Sequence, residues 1–93
     1  MDKILTKNPD PAKKGVSIDM DRYNFIKQEI LRLLKEKGPL GAMQLVSEMD
    51  KRLGGDKKAG FSIGWYTTAV RLDLEARGKI QYDRSAKKPV VTI

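Results

Sequence analysis

The sequence predicts an α+β domain, mostly α, in which three helices precede a C-terminal two-stranded β-hairpin. Three observations carry this expectation. Apolar residues recur with a helical period from Asp19 to Lys37, from Leu40 to Leu53 and from Ser62 to Gly78. The period then changes from 3.6 to 2 in Lys79-Ile80-Gln81-Tyr82-Asp83. Pro89-Val90-Val91-Thr92-Ile93 adds a β-branched run that suits a second strand, with Ile93 paired into the sheet.

In chain order, residues 1–18 form a basic N-terminal arm that is only partly ordered. Lys3, Lys7, Lys13 and Lys14 outnumber Asp2 and Asp10 there. Asn8-Pro9-Asp10-Pro11 is a turn or extended segment, because each proline pushes its predecessor out of the helical region. Ile4, Leu5, Val16 and Ile18 are apolar enough for part of the arm to pack down as a short strand. A frayed terminus and an arm that follows a phosphate backbone are the two readings of the remainder.

The first helix shows one stripe, Tyr23, Ile26, Ile30, Leu33 and Leu34. Asp19 and Asp21 suit its N-terminal end, Lys35 and Lys37 its C-terminal end, and Gly38-Pro39 stops it. Phe25 falls on the polar side near Asp21, Glu29 and Arg32, which makes it a candidate protein interface unless the arm covers it. The second helix carries Ala42, Leu45, Val46, Met49 and Leu53, with Gly41 as its cap and Met43 and Met49 as gap-filling core. Residues 54–60 form a loop by composition. Gly55 and Gly60 resemble the glycines of a phosphate loop, but no Gly-Lys-Ser/Thr ending follows and no strand precedes, so a nucleotide site is rejected.

In the third helix, a 100° step from Trp65 places Ala69, Leu72 and Ala76 together, with Tyr66, Val70 and Leu74 extending the apolar arc expected to face the core. Thr67, Thr68, Arg71 and Glu75 form the polar strip. Ser62 or Gly64 caps the start, and Gly78 ends the helix in the left-handed conformation. Asp73 lies on the apolar side and requires a partner there, such as Arg77 or Tyr23.

Composition restricts the chemistry. The 93 residues include 19 Lys and Arg against 12 Asp and Glu, a formal charge of +7 and a pI near 9.8, which favours polyanionic partners. With neither Cys nor His, the chain lacks disulfides, thiolate nucleophiles, the usual general base and the commonest metal ligands. The expectation is therefore a non-enzymatic protein without cofactor or metal. No apolar run reaches the roughly 18 residues of a membrane helix, nor that of a signal peptide, so a cytoplasmic protein without membrane contact is expected.

The order helix, helix, helix, cation-tipped hairpin resembles the winged-helix group over residues 23–93. The residues that carry the likeness are Ile26-Lys27-Gln28-Glu29-Ile30-Leu31, Gly38-Pro39-Leu40, and Val70-Arg71-Leu72-Asp73-Leu74-Glu75-Ala76-Arg77-Gly78-Lys79-Ile80. Trp65-Tyr66 together with Leu72-Asp73-Leu74-Glu75-Ala76-Arg77-Gly78 also resembles a family of small bacterial single-domain proteins without assigned function. The winged-helix resemblance makes residues 19–93 the domain and implies binding of double-stranded DNA. Gly64, Thr67, Thr68 and Arg71 would face the major groove, while Arg84, Lys87 and Lys88 in the wing would meet phosphates. Lys57, Lys58, Lys13 and Lys14 are further candidate phosphate contacts. Glu75 departs from this pattern, since it would repel phosphate unless it accepts from a cytosine amino group. The alternative is a winged-helix protein-interaction module that does not bind DNA. A homodimer would match a palindromic site, although no heptad specifies one.

Overall fold

In the computed structural model, which describes residues 2–93, the elements run β1 (Lys3–Leu5), β2 (Ser17–Asp19), α1 (Met20–Lys37), α2 (Ala42–Leu53), α3 (Asp56–Ala59), α4 (Ile63–Ala76), β3 (Gln81–Tyr82) and β4 (Val91–Thr92). Met1, the first residue of the expected arm, lies outside the described residues.

Each long helix starts and stops for a local reason. The Asp19 carboxylate accepts from the Arg22 amide at the start of α1, where it also faces the positive end of the helix dipole. Ser62 does the same for α4 through the Trp65 amide. Gly41 has no side chain to offer, so Gln44 reaches back and accepts from the Gly41 amide. Gly78 closes the C-terminal turn of α4 at φ 74°, a conformation that favours glycine, and the Lys79 amide returns to the Leu74 carbonyl.

The core is a single cluster between α1, α2 and α4, capped by Ile80 and Val91. The whole expected α1 stripe is buried in it, as are Leu45 and Met49 of α2. Met43 is not core: it is 86% exposed at the start of α2, two residues before Leu45 and so on nearly the opposite side of the helix. The expected loop 54–60 contains a one-turn helix, α3, bracketed by Gly54 and Gly60 in the left-handed region, and Asp56 caps onward to the Ile63 amide.

The C-terminal hairpin pairs Gln81 with Thr92 and Tyr82 with Val91. An isolated antiparallel bridge between Leu40 and Val91 adds a third segment to it and ties the α1–α2 connection to the hairpin. The domain is thus mostly α, with four helices and two small antiparallel strand pairs among the described residues, and α4 is the helix that leads into the C-terminal hairpin. Ile93 lies outside the pairing and is exposed, contrary to expectation.

The N-terminal arm is a second antiparallel ribbon with Lys3 opposite Asp19, Ile4 opposite Ile18 and Leu5 opposite Ser17. Beyond the strands, Thr6 extends the pairing through its amide to the Val16 carbonyl, and its hydroxyl accepts from the Val16 amide. Gly15 is required here, since a side-chain carbon would collide with the Thr6 carbonyl. Ile18 enters the core and Thr6 is buried, which anchors the ribbon at both of its edges.

Candidate functional site

The two faces of α4 decide what this domain can touch. Ile63, Val70 and Leu74 are fully buried, and Thr67 lies among them at 0% exposure. The opposite side presents Trp65, Thr68, Ala69 and Leu72, with Trp65 49% exposed. Of the arc expected to face the core, Val70 and Leu74 are buried, whereas Trp65, Ala69 and Leu72 were expected inside and line the outward side. The sequence contains two apolar arcs, and the one built on Ile63 and Leu74 packs against α1 and α2.

This phase alters the expected DNA-contacting strip. Thr67 is in the core and its hydroxyl has no hydrogen-bond partner, so it cannot meet a groove. Gly64 is half-buried, near Val46 of α2. Arg71 donates to Glu75 Oε2 at 2.6 Å and lies over the Tyr82 ring, 5.0 Å from its centroid. Of the four residues, Thr68 alone is exposed.

The N-terminal ribbon faces this outward side. Its residues 6–8 and 14–16 form one wall of a groove, with Trp65, Thr68, Ala69 and Leu72 as the other, enclosing about 190 Å³. A neighbouring hollow joins Asn8, Pro9, Asp10 and Lys13 of the ribbon to Leu72 and to Arg84 of the wing. Ribbon, helix and wing thus share one face.

Asp73 fastens the ribbon to the helix. It is fully buried and accepts from the Lys7 amide at 2.8 Å, from Arg77 Nε at 2.9 Å, and from the Tyr23 hydroxyl. Both partners expected of it, Arg77 and Tyr23, are present, and the Lys7 amide is a third that sequence spacing could not reveal. The Tyr23 phenol is pushed up to about 12, first by burial and then by its bond to Asp73 and that carboxylate's charge.

Glu75 holds the wing in a parallel way. Its two oxygens accept from Arg71 and Arg84, and both guanidiniums lie 5.0 Å from the Tyr82 centroid on the wing. Glu75 is thus the base of a clasp between α4 and the hairpin.

The cations divide by type. Every arginine is engaged: Arg22 lies over Phe61 and Tyr66, Arg32 meets Glu29, Arg52 meets Glu29 and Glu36, and Arg71, Arg77 and Arg84 act as above. Among the described residues, the lysines with a carboxylate partner are Lys37 and Lys51, both on Glu48. Lys13, Lys14, Lys57, Lys58, Lys87 and Lys88 are exposed and without an ion pair, so of the expected phosphate contacts it is Arg84 that is already bound. Lys57 and Lys58 lie on α3 and line neither hollow. Phe25 is 45% exposed, uncovered by the arm.

Trp65, Ala69, Leu72 and Lys7 are the site residues that sequence reasoning missed. One signal was available: two carboxylates, Asp73 and Glu75, near the negative end of a helix are unfavourable unless other elements supply donors. Among the described residues no group of acids could hold a metal ion, and no helix is long and apolar enough to cross a membrane.

Comparison with known proteins agrees with a fold whose role cannot be borrowed from a relative. No curated protein and no solved structure matches the chain. A family model does match, over residues 3–91, and the chain belongs to that family, a family of unknown function (DUF6958).

Proposed function

We propose that the domain is a protein-interaction module that binds a polypeptide partner through the outward side of α4. The observation that carries this reading is the apolar groove formed by Trp65, Ala69 and Leu72 against the N-terminal ribbon. A helix that reads base edges needs donors and acceptors in that position, above all arginine, asparagine or glutamine. Here the arginines of α4 and the wing are engaged with Asp73 and Glu75, and Thr68 is the one polar side chain of α4 on the groove wall. Exposed apolar area with an aromatic at its centre is the usual make-up of a protein contact.

Double-stranded DNA is the second reading, favoured by the unpaired Lys13 and Lys14 on the ribbon and Lys87 and Lys88 on the wing. Lysines of this kind act as point charges on phosphates and would give affinity without sequence preference. One experiment separates the two. Partner retention on the immobilised protein is compared between wild type, Leu72→Glu and the Lys87→Ala/Lys88→Ala pair, alongside random duplex DNA at two salt concentrations. The polypeptide reading expects Leu72→Glu to lose its partner and the lysine pair to keep it. Duplex binding that falls steeply with salt, is weakened by the lysine pair and ignores Leu72→Glu would replace it with the DNA reading.

A further inference from the structure

We infer that the occupant of the groove is an acidic amphipathic helix that inserts an apolar anchor between α4 and the N-terminal ribbon. This rests on the polypeptide-binding reading and names the partner's chemistry.

The shape of the groove supplies the first argument. Trp65, Ala69 and Leu72 recur at spacings of four and three, a stripe along two turns of α4 about 10 Å long. A wall of that length is matched by about two turns of a helix laid along it, whose own anchors recur at i, i+3/i+4 and i+7. An apolar cavity of about 150 Å³ holds a benzene ring, so 190 Å³ accepts a leucine or phenylalanine side chain. Val16 closes the opposite wall as a second exposed apolar residue.

Charge supplies the second argument. Lys7 and Lys14 line the groove without an ion pair, and Lys13 lines the adjoining hollow. The nearest carboxylate on that rim, Asp10, accepts from the Ala12 amide of its own turn. A second copy of this chain would bring another +7 against the same lysines, which opposes self-association. Duplex DNA has no anchor of the right kind to fill the space, and its phosphates would lose water against Trp65 and Leu72. A bilayer surface is flat on this scale, whereas the site is a cleft between two elements. Carboxylates flanking an apolar anchor satisfy both the walls and the rim.

The test uses the whole protein and a synthetic peptide of about 16 residues, long enough to form a helix. Leucine occupies the anchor positions and glutamate most of the others. Trp65 is the sole tryptophan, so its emission reports on this groove alone. A saturable emission change is expected, weakened at least about tenfold by Thr68→Glu and by Leu72→Glu, and reduced several-fold as salt is raised past the screening range. Thr68 is exposed, so its variant keeps the fold, and an unchanged melting curve verifies this for both.

Equal binding of a peptide with serine at the anchor positions would overturn the inference, because charge alone would then explain the contact. Equal binding of the analogue with lysine for glutamate would also overturn it, yet leave α4 a polypeptide site. If no peptide of either charge perturbs Trp65, both the inference and the reading beneath it fail.

Discussion

The N-terminal ribbon and the C-terminal wing are both fastened to α4 through a carboxylate near the end of that helix, but by different means. Asp73, with no exposure at all, takes a main-chain amide of the ribbon, a phenol from α1 and a guanidinium from its own helix. Glu75 takes two long arginine side chains, one of which, Arg84, is 54% exposed on the wing. A main-chain amide has little freedom once the ribbon is formed, so the first attachment is short and stiff. An arginine that is half in water loses rotamer entropy to reach its partner and is screened by solvent. The ribbon is thus built as a fixed wall and the wing as a softer one. That difference suits a groove whose shape depends on the ribbon, while the wing contributes Arg84 at its edge.

Removing each attachment in turn measures the contrast. Asp73→Ala should have the largest effect, about 3–5 kcal/mol in denaturant unfolding. It strands the Lys7 amide, the Tyr23 hydroxyl and Arg77 together, and several such losses inside a small domain approach its total stability. A loss below about 1 kcal/mol would mean that the ribbon is held by Ile18 and Thr6 alone. Glu75→Ala should cost less, about 1–3 kcal/mol, and its effect should be local. Hydrogen exchange should quicken at Gln81 and Thr92 in the wing and leave Thr6 and Val16 in the ribbon protected. Equal loosening of both ribbons would erase the distinction drawn above.

The smallest effect sharpens the stiff attachment from one side. Tyr23→Phe deletes one of the three donors to Asp73 without changing the packing of the ring, which should cost about 1–2 kcal/mol at neutral pH. It should also remove a signature at alkaline pH. The fold raises the Tyr23 phenol from 10 to about 12, so it binds that proton more tightly than the unfolded chain does. The resulting stabilisation is complete below the unfolded value and is lost as pH rises through the folded one, between about 10 and about 12. Wild type should lose stability across that window faster than Tyr23→Phe. Parallel curves would show that neither burial nor Asp73 raises the phenol on folding.

Much of the fold was legible in the residues themselves, and its errors have definite sources. The α1 stripe from Tyr23 to Leu34 has one apolar side and one polar side, so a single phase satisfies it. The α4 segment does not. Ile63, Val70 and Leu74 form one apolar arc, and Trp65, Ala69 and Leu72 form another on nearly the opposite side. A wheel has no way to rank two such arcs, and the expected core spanned both, taking in Val70 and Leu74 correctly and Trp65, Ala69 and Leu72 wrongly. The cost of that error fell on the site: Thr67 and Arg71 were expected in a groove and are in the core and in the wing clasp. Met43 failed because it faces away from the Leu45 side of α2, and Ile93 because it lies beyond the last pair of the hairpin.

What the amino-acid order determined by itself is local: where helices begin and end at Asp19, Ser62 and Gly78, the switch of period after Gly78, and the excess of lysine. These follow from backbone geometry, capping and charge, which act over a few residues. Tertiary structure alone decided which side of α4 faces water, that the arm folds into a ribbon beside it, and that Arg22, Arg52 and Arg84 are held by other elements. Those outcomes depend on contacts such as Lys7 with Asp73 and Arg22 with Phe61 and Tyr66, between residues far apart in the chain. Spacing within one segment carries no information about such pairs, so the surface this protein offers a partner emerges only when the segments meet.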